Sequence, residues 1–135
     1  MKSDRIPSHG SNFVPIDRSI LRILEKDVAD NAPDIMLELI DIFIRDGGWH
    51  IHEMAKGLER QEFRKIEISA HSIKSSSATF GAMALSALSA QIEQLARAKK
   101  SEGMAEIMHS ARDEFARVEA VLVVEREKWI EAASR

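Results

Sequence analysis

His71 is the side chain of this protein best suited to chemistry, and Lys74 follows it one helical turn later. A neutral imidazole is a competent nucleophile near pH 7, because an unperturbed histidine has a pKa of about 6.5. A lysine ammonium on the same helix face would supply positive charge to an incoming anion. Transfer of a phosphoryl group depends mainly on positioning and charge stabilisation, so this pair suggests phosphoryl chemistry.

The residues around His71 favour an exposed ring. Residues three or four positions apart share a helix face, which puts Glu67, Ser75 and Ala78 beside His71. The core-facing positions of the same pattern fall to one side of it and are Ile66, Ala70, Ile73 and Ser77. Ser75 and Ala78 are small and would leave the ring open to a partner. His71 is therefore predicted at the boundary of the solvent face or on it.

The His71 and Lys74 pair alone is weak ground for a function. A single histidine on a helix surface more often has no chemical role, and a serine-rich helical segment is often only a solvated face. Glu67 is also an awkward neighbour, because its carboxylate would repel a phosphate. It could point away, or pair with Lys74 or Arg64. The longer sequence around His71 must therefore carry the hypothesis.

The other histidines do not predict a metal site. His50 and His52 are two residues apart and point to different sides of a helix. His9 and His109 each stand alone, whereas a structural metal needs convergent ligands. The chain has no glycine-rich phosphate-binding loop, and an ATP-binding kinase domain does not fit in the residues that remain. We predict no metal, no cofactor and no autonomous kinase activity, and therefore no enzyme.

The composition of the 135-residue chain predicts one helical, globular domain, since 44% of the residues are hydrophobic, 30% charged and only 5% aromatic. The absence of cysteine excludes disulfides and fits a reducing compartment. A net charge of −3 does not favour nucleic acid or a membrane surface. No signal peptide or apolar run of ~20 residues is visible, so we expect a cytoplasmic location. A flexible tail is predicted over residues 1–15, and the helical domain over residues 16–135.

Apolar residues at helical spacing predict a short N-terminal helix followed by longer ones. Asp17 is expected to cap the short helix. Asp30 or Asn31 is expected to cap the next helix, and Pro33 lies in its first turn. The pair Gly47-Gly48 interrupts that second pattern. We prefer one long helix that bends at the glycines to two helices separated by a break.

The remaining helical patterns cover residues 63–80, 85–95 and 104–122. Residues 125–135 are mostly polar and are expected to project beyond the body of the domain. Since the connections are short, neighbouring helices should be antiparallel. We therefore predict an all-α, antiparallel up-and-down four-helix bundle with a short N-terminal helix and an extended C-terminal helix.

A longer string around His71 is more informative than the pair alone. It comprises Ala70-His71-Ser72-Ile73-Lys74, Ser76, Phe80-Gly81-Ala82 and Leu85, and it continues with Glu93 and Leu95-Ala96-Arg97. This string resembles the signature of histidine-containing phosphotransfer (HPt) domains, both those of phosphorelay proteins and the phosphorylated domain of chemotaxis histidine kinases. The flanking helical patterns also fit, so the resemblance covers most of the chain. It implies a four-helix antiparallel bundle with a phosphorylatable histidine exposed in mid-helix.

The resemblance also implies a role for each matched position. His71 would be the phosphoryl acceptor and Lys74 its electrostatic partner. Glu93 falls where chemotaxis-type domains have a carboxylate hydrogen-bonded to the ring, which fixes the tautomer and leaves the other nitrogen free to attack. The alternative for Glu93 is an ordinary surface glutamate. The positions implied for phosphate and partner access are Ser75, Ser76, Ala78 and Gly81.

Ser75 departs from the pattern of the family, which usually has glycine directly after the lysine. Glycine at this position allows close approach to the phosphohistidine. The serine adds a hydroxyl and some bulk beside His71. It could crowd the partner, or it could donate a hydrogen bond to the phosphate.

Through the resemblance we expect a phosphotransfer protein of a two-component relay. His71 would take a phosphoryl group from the receiver domain of a hybrid histidine kinase, or from a kinase, and pass it to a response regulator. The required Mg²⁺ would come with the receiver domain, and the protein is expected to be a monomer. Two alternatives stay open. One is an adaptor bundle that binds partners without phosphorylation, which Ser75 favours, and the other is a domain excised from a chemotaxis-like kinase, which Glu93 favours.

Overall fold

The computed structural model describes residues 14–135, and this part of the chain contains five α-helices. Their bounds are Arg18–Ile23 (α1), Pro33–Glu59 (α2), Phe63–Phe80 (α3), Met83–Arg97 (α4) and Met104–Ala133 (α5). A turn of π-helix, Leu24–Val28, continues α1. The prediction of a flexible tail falls mostly on residues 1–13, which lie outside the described residues. None of the helices between residues 14 and 135 is long and apolar enough to cross a membrane.

The start of α1 agrees with the sequence, but the start of α2 does not. Asp17 is the N-cap of α1, and its Oδ1 accepts a hydrogen bond of 3.0 Å from the Ser19 backbone N–H. The prediction that Asp30 or Asn31 caps α2 is wrong, because the N-cap is Ala32 and has no side-chain hydrogen bond. Asp30 and Asn31 instead adopt the left-handed conformation, with φ of 52° and 56°, which their short polar side chains tolerate.

The second helix is continuous through Gly47 and Gly48, as the sequence predicts. Glycine lowers helix propensity by about 1 kcal/mol relative to alanine, so an interior pair needs a structural reason. At Gly47 the reason is contact with α5, because a Cβ atom there would overlap the ring of Phe115. The missing side chain therefore allows α2 and α5 to pack closely. The bend at this point stays a prediction.

The helices α2 to α5 form an antiparallel bundle. Contacting residues rise along one helix as they fall along its neighbour, which identifies antiparallel packing. The pairs are His50–Ser69 and Gly57–Ile66 between α2 and α3, Glu67–Arg97 and Lys74–Ser86 between α3 and α4, and Asp41–Arg126 and Gly47–Phe115 between α2 and α5. The predicted all-α bundle is therefore confirmed.

The core fills the space between the four long helices. On α3 the predicted stripe is buried, and its members are Ile66, Ala70, Ile73, Ser77 and Phe80. Phe43 of α2 contacts both Phe80 and Phe115, with ring centroids 4.7 and 6.0 Å apart respectively. Because this stripe faces inward, the opposite side of α3 faces solvent.

The C-terminal part of α5 does not project freely, contrary to the prediction for residues 125–135. Glu125 is only 5% exposed and accepts a hydrogen bond of 2.7 Å from Nη1 of Arg18 on α1. Trp129 packs against the core. The polar sequence of this segment was misleading. Its residue Glu125 is polar and yet buried because it pairs with Arg18 of α1, which packs against this end of the bundle.

The glycine that ends α3 also contacts the start of α1. Gly81 terminates the helix in the left-handed conformation, with φ of 84°. The backbone N–H of Asp17 donates a hydrogen bond of 2.8 Å to the Gly81 carbonyl. A Cβ atom on Gly81 would lie 2.6 Å from the carbonyl oxygen of Asp17. Glycine is therefore required at this position both for its backbone conformation and for the contact.

Gly81→Ala should destabilise the fold more than the same change at Gly103. Both glycines have positive φ, but nothing lies within 4 Å of a Cβ atom at Gly103. Gly103→Ala should cost about 1 kcal/mol of backbone strain, whereas Gly81→Ala adds a backbone clash and should cost roughly 2 kcal/mol or more. Gly48→Ala, in an open helical position, should stabilise by about 0.5 kcal/mol. Urea unfolding followed by circular dichroism measures all three, and equal losses at Gly81 and Gly103 would contradict the role of the contact.

Candidate functional site

His71 lies in the middle of α3 with its side chain 60% exposed. Its sequence neighbour Ala70 is fully buried, and so is Ile73, which fixes the rotation of α3 about its axis. The imidazole is therefore directed away from the core, as the apolar pattern predicts. Its position is set by the packing of α3 rather than by a loop.

One ring nitrogen of His71 is bonded to Glu93 of α4. The distance between Nδ1 and Oε2 of Glu93 is 2.8 Å, and the Glu93 side chain is only 5% exposed. An ionised carboxylate is an acceptor only, so Nδ1 carries the proton and donates it. Nε2 then has the free lone pair and is the nitrogen left for attack. The predicted contact between Glu93 and the ring is present, and the alternative of a surface glutamate does not fit a buried side chain.

Lys74 is also bonded to Glu93. Its Nζ donates to Oε1 of Glu93 at 2.6 Å, and its side chain is 35% exposed. The Lys74 backbone carbonyl accepts a hydrogen bond of 2.9 Å from Oγ of Ser86 on α4. These contacts place the ammonium next to His71, but engaged with Glu93 in this state.

Arg97 completes the group, although no role at the site is predicted for it from the sequence. Its Nη2 donates to Oε2 of Glu93 at 3.1 Å, and its Nε donates to Oε2 of Glu67 at 3.0 Å. Glu67 also accepts a hydrogen bond of 3.3 Å from Arg64. Of the alternatives for Glu67, pairing with Arg64 is therefore present and pairing with Lys74 is not. The spacing of Glu93 and Arg97, four residues apart on a helix, is the signal that could have identified Arg97.

The surrounding cations keep Glu93 ionised. The hydrogen bond from Lys74 lowers the pKa of Glu93 most, and that from His71 lowers it further, whereas burial acts in the opposite direction. The net pKa lies below the ordinary value of 4.5. A charged carboxylate is what the Nδ1–H donor requires, so burial and ionisation coexist only because of these partners.

The four positions predicted for access do not share one surface. Ser75 is exposed one turn after His71, and Ala78 is half-buried on the same side. Ser76 lies on a different side of the helix from His71, and its Oγ donates a hydrogen bond of 3.0 Å to the Ser72 carbonyl. Gly81 is buried at the end of α3 beneath α1, so the prediction that it gives access is wrong.

Acid should remove the stabilising contribution of Glu93. Because its pKa is lowered in the folded protein, the folded chain binds this proton less readily than the unfolded chain does. The contribution is therefore complete above about pH 4.5 and is lost as the pH falls through the lowered pKa. We expect wild type to exceed Glu93→Gln in free energy of unfolding at neutral pH, and the difference to shrink as the pH falls below about 4.5 and through the lowered pKa.

Urea unfolding at several pH values measures this difference. Glu38→Gln is the matched control, because Glu38 is exposed on α2 and its loss should change stability little at either pH. A difference between wild type and Glu93→Gln that persisted undiminished in acid would show that the charge of Glu93 is not its source.

Comparison with known proteins agrees with this geometry. The sequence profile of the Hpt domain matches residues 38–121. Histidine-containing phosphotransfer protein 1 of Oryza sativa subsp. japonica is 28% identical over 86 residues, which are 62% of this chain and 58% of the rice protein. The matched stretch thus spans little more than half the length of that relative.

A solved structure shares the fold. It is the crystal structure of histidine-containing phosphotransfer protein B from Pseudomonas aeruginosa PAO1, and the TM-score is 0.76. The superposition covers 84% of this chain and 96% of the other, at 24% sequence identity. The family profile covers well over half of the described chain and includes His71, Lys74 and Glu93. The chain therefore belongs to the Hpt domain family.

Proposed function

We propose that this protein is a phosphoryl carrier of a two-component relay, with Nε2 of His71 as the acceptor. The donor is the phosphoaspartate of a receiver domain, such as that of a hybrid histidine kinase, or a kinase itself. The recipient is the aspartate of a response regulator. The observation that supports this best is an exposed imidazole whose Nδ1 is bonded to a buried, ionised carboxylate at 2.8 Å. Membership of the Hpt family supports the same reaction.

The reaction follows from the protonation state of the ring. The Nε2 lone pair forms the bond to phosphorus while the phosphorus–oxygen bond to the donor aspartate breaks, and the electron pair leaves with the aspartyl carboxylate. Nδ1 keeps its proton, so the phosphorylated ring carries positive charge, which the Glu93 carboxylate stabilises. In the second transfer a receiver carboxylate attacks phosphorus, and Nε2 recovers its electron pair.

Lys74 supports the transfer by charge. Its ammonium has three N–H donors, and the bond to Glu93 uses one of them. The partly exposed Nζ is thus available to the oxygens of a phosphoryl group on Nε2, which adds about −1.5 to −2 charge. Lys74 neutralises part of this charge in the proposed reaction.

The partner brings the metal ion in this proposal. Among residues 14–135, no group of three or more His, Asp or Glu side chains is arranged to hold a metal. We propose that Mg²⁺ is bound by the acidic pocket of the receiver domain, where carboxylate oxygens are its preferred ligands. The carrier then contributes the nucleophile, its orientation and the Lys74 charge.

His71→Gln should abolish acceptance of phosphate, because glutamine has no nucleophilic nitrogen in the place of Nε2. Incubation with a receiver domain carrying radiolabelled phosphoaspartate and Mg²⁺ should label wild type with an acid-labile, alkali-stable group. His52→Gln, which changes an exposed histidine of α2, should be labelled like wild type.

The same experiment separates the two candidate functions. Binding of the receiver domain without label on wild type would favour the adaptor bundle and would contradict the carrier. Label that persisted in His71→Gln would place the acceptor at another residue. Isothermal titration of the receiver domain into both proteins checks that the substitution leaves binding in place.

A further inference from the structure

We propose that Arg97 is a positioning residue for the phosphoryl transfer and holds the Glu93 carboxylate in place on His71. This inference rests on the proposed function and adds to it a residue that does not touch the reacting atoms. Arg97 acts within a bonded chain of four side chains, Glu67 and His71 on α3 and Glu93 and Arg97 on α4. We call this chain the α3–α4 clamp.

The α3–α4 clamp joins the two helices through two hydrogen bonds, one helical turn apart. Glu67 and His71 are four residues apart on α3, and Glu93 and Arg97 are four residues apart on α4, so each pair lies on one helix face. His71 bonds across to Glu93 at 2.8 Å, and Arg97 bonds across to Glu67 at 3.0 Å. The contact of 3.1 Å between Arg97 and Glu93 links these two bonds. The carboxylate of Glu93 is thereby fixed relative to both helices.

Arg97 holds the oxygen that orients the imidazole. Oε2 of Glu93 accepts from Nδ1 of His71 and from Nη2 of Arg97, whereas Lys74 is bonded to Oε1. In the proposed reaction Lys74 shares its ammonium between Glu93 and the phosphoryl group, whereas Arg97 is bonded to carboxylates alone. A buried carboxylate needs such a partner, since loss of its counter-charge is strongly destabilising. Arg97 therefore keeps the ring oriented while Lys74 is engaged.

The side chain of Arg97 suits this task better than a lysine would. Its planar guanidinium uses Nε for Glu67 and Nη2 for Glu93, so one rigid group bridges two carboxylates. Arg97 also ends α4, where the helix dipole favours a cation. The ion pair with Glu67 lies outside the core and serves as an anchor, because it restricts a side chain that is otherwise 61% exposed.

The decisive experiment reads the tautomer of His71 directly in the unphosphorylated full chain. Two-dimensional ¹H–¹⁵N spectra of the imidazole, recorded at a pH where the ring is neutral, distinguish protonated Nδ1 from protonated Nε2. Wild type should carry the proton on Nδ1. Arg97→Gln should shift the ring toward a mixture of both tautomers and slow phosphoryl transfer about tenfold, as loss of an orienting partner does elsewhere.

Two further variants test the specific chemistry. Arg97→Lys retains one charge without the bridging fork, and it should recover the tautomer and the rate only in part. Arg64→Gln removes a cation that is bonded to Glu67 but not to Glu93, and it should leave both readouts at the wild-type values. Both substitutions should leave the fold intact, because Arg97 and Arg64 are largely exposed and Glu93 keeps Lys74 as a counter-charge, and circular dichroism checks this.

A double variant separates a positioning role from an independent one. If Arg97 acts through Glu93, Glu93→Gln combined with Arg97→Gln should transfer no more slowly than Glu93→Gln alone. An unchanged tautomer in Arg97→Gln, or a full additive loss in the double variant, would overturn the role of Arg97. Absence of phosphoryl acceptance by wild type would overturn the proposed function instead, so the two failures are distinguishable.

Discussion

The ionised carboxylate of Glu93, buried between α3 and α4, is the constraint on which the site depends. A charge removed from water must be compensated by partners with good geometry. Three donors meet this requirement, and they are His71, Lys74 and Arg97. Each donor is fixed in return. The buried charge therefore sets the tautomer of the imidazole and the position of the Lys74 ammonium. It also links α3 and α4 in one register.

The bundle supplies the conditions for this arrangement. The interface between α3 and α4 includes the small, buried side chain of Ser86, which allows the helices to approach. Ser86 also bonds to the backbone of Lys74, so the register of the two helices is held beside the site. At the C-terminal end of α3, the Gly81 carbonyl accepts a hydrogen bond from the backbone N–H of Asp17, the N-cap of α1. A rigid helix pair thus carries the histidine, and no loop has to order before it can act.

The site divides its work between buried and exposed groups. The orienting carboxylate is shielded, whereas the imidazole is 60% exposed and open to a partner protein. Such a division suits the proposed carrier, for which the electrophile and its Mg²⁺ would come with the partner. The carrier must present a correctly protonated nucleophile and balance the charge that arrives. In the proposed function Glu93 meets the first requirement and Lys74 the second, and the role proposed for Arg97 is to secure Glu93 while Lys74 also binds the phosphoryl group.

The sequence by itself determined the features that follow from local periodicity and residue type: the helices, the outward direction of His71, the cap at Asp17 and the continuity of α2 through its glycines. Only the tertiary structure decided which cations meet Glu93 and Glu67, that Gly81 is buried, and that α1 covers the end of α5. It also assigned Asp30 and Asn31 to a left-handed turn instead of a cap. The reason is physical. A helical pattern fixes which face is apolar, whereas ion pairs between helices depend on their relative rotation and register, which are set by packing between residues far apart in the chain.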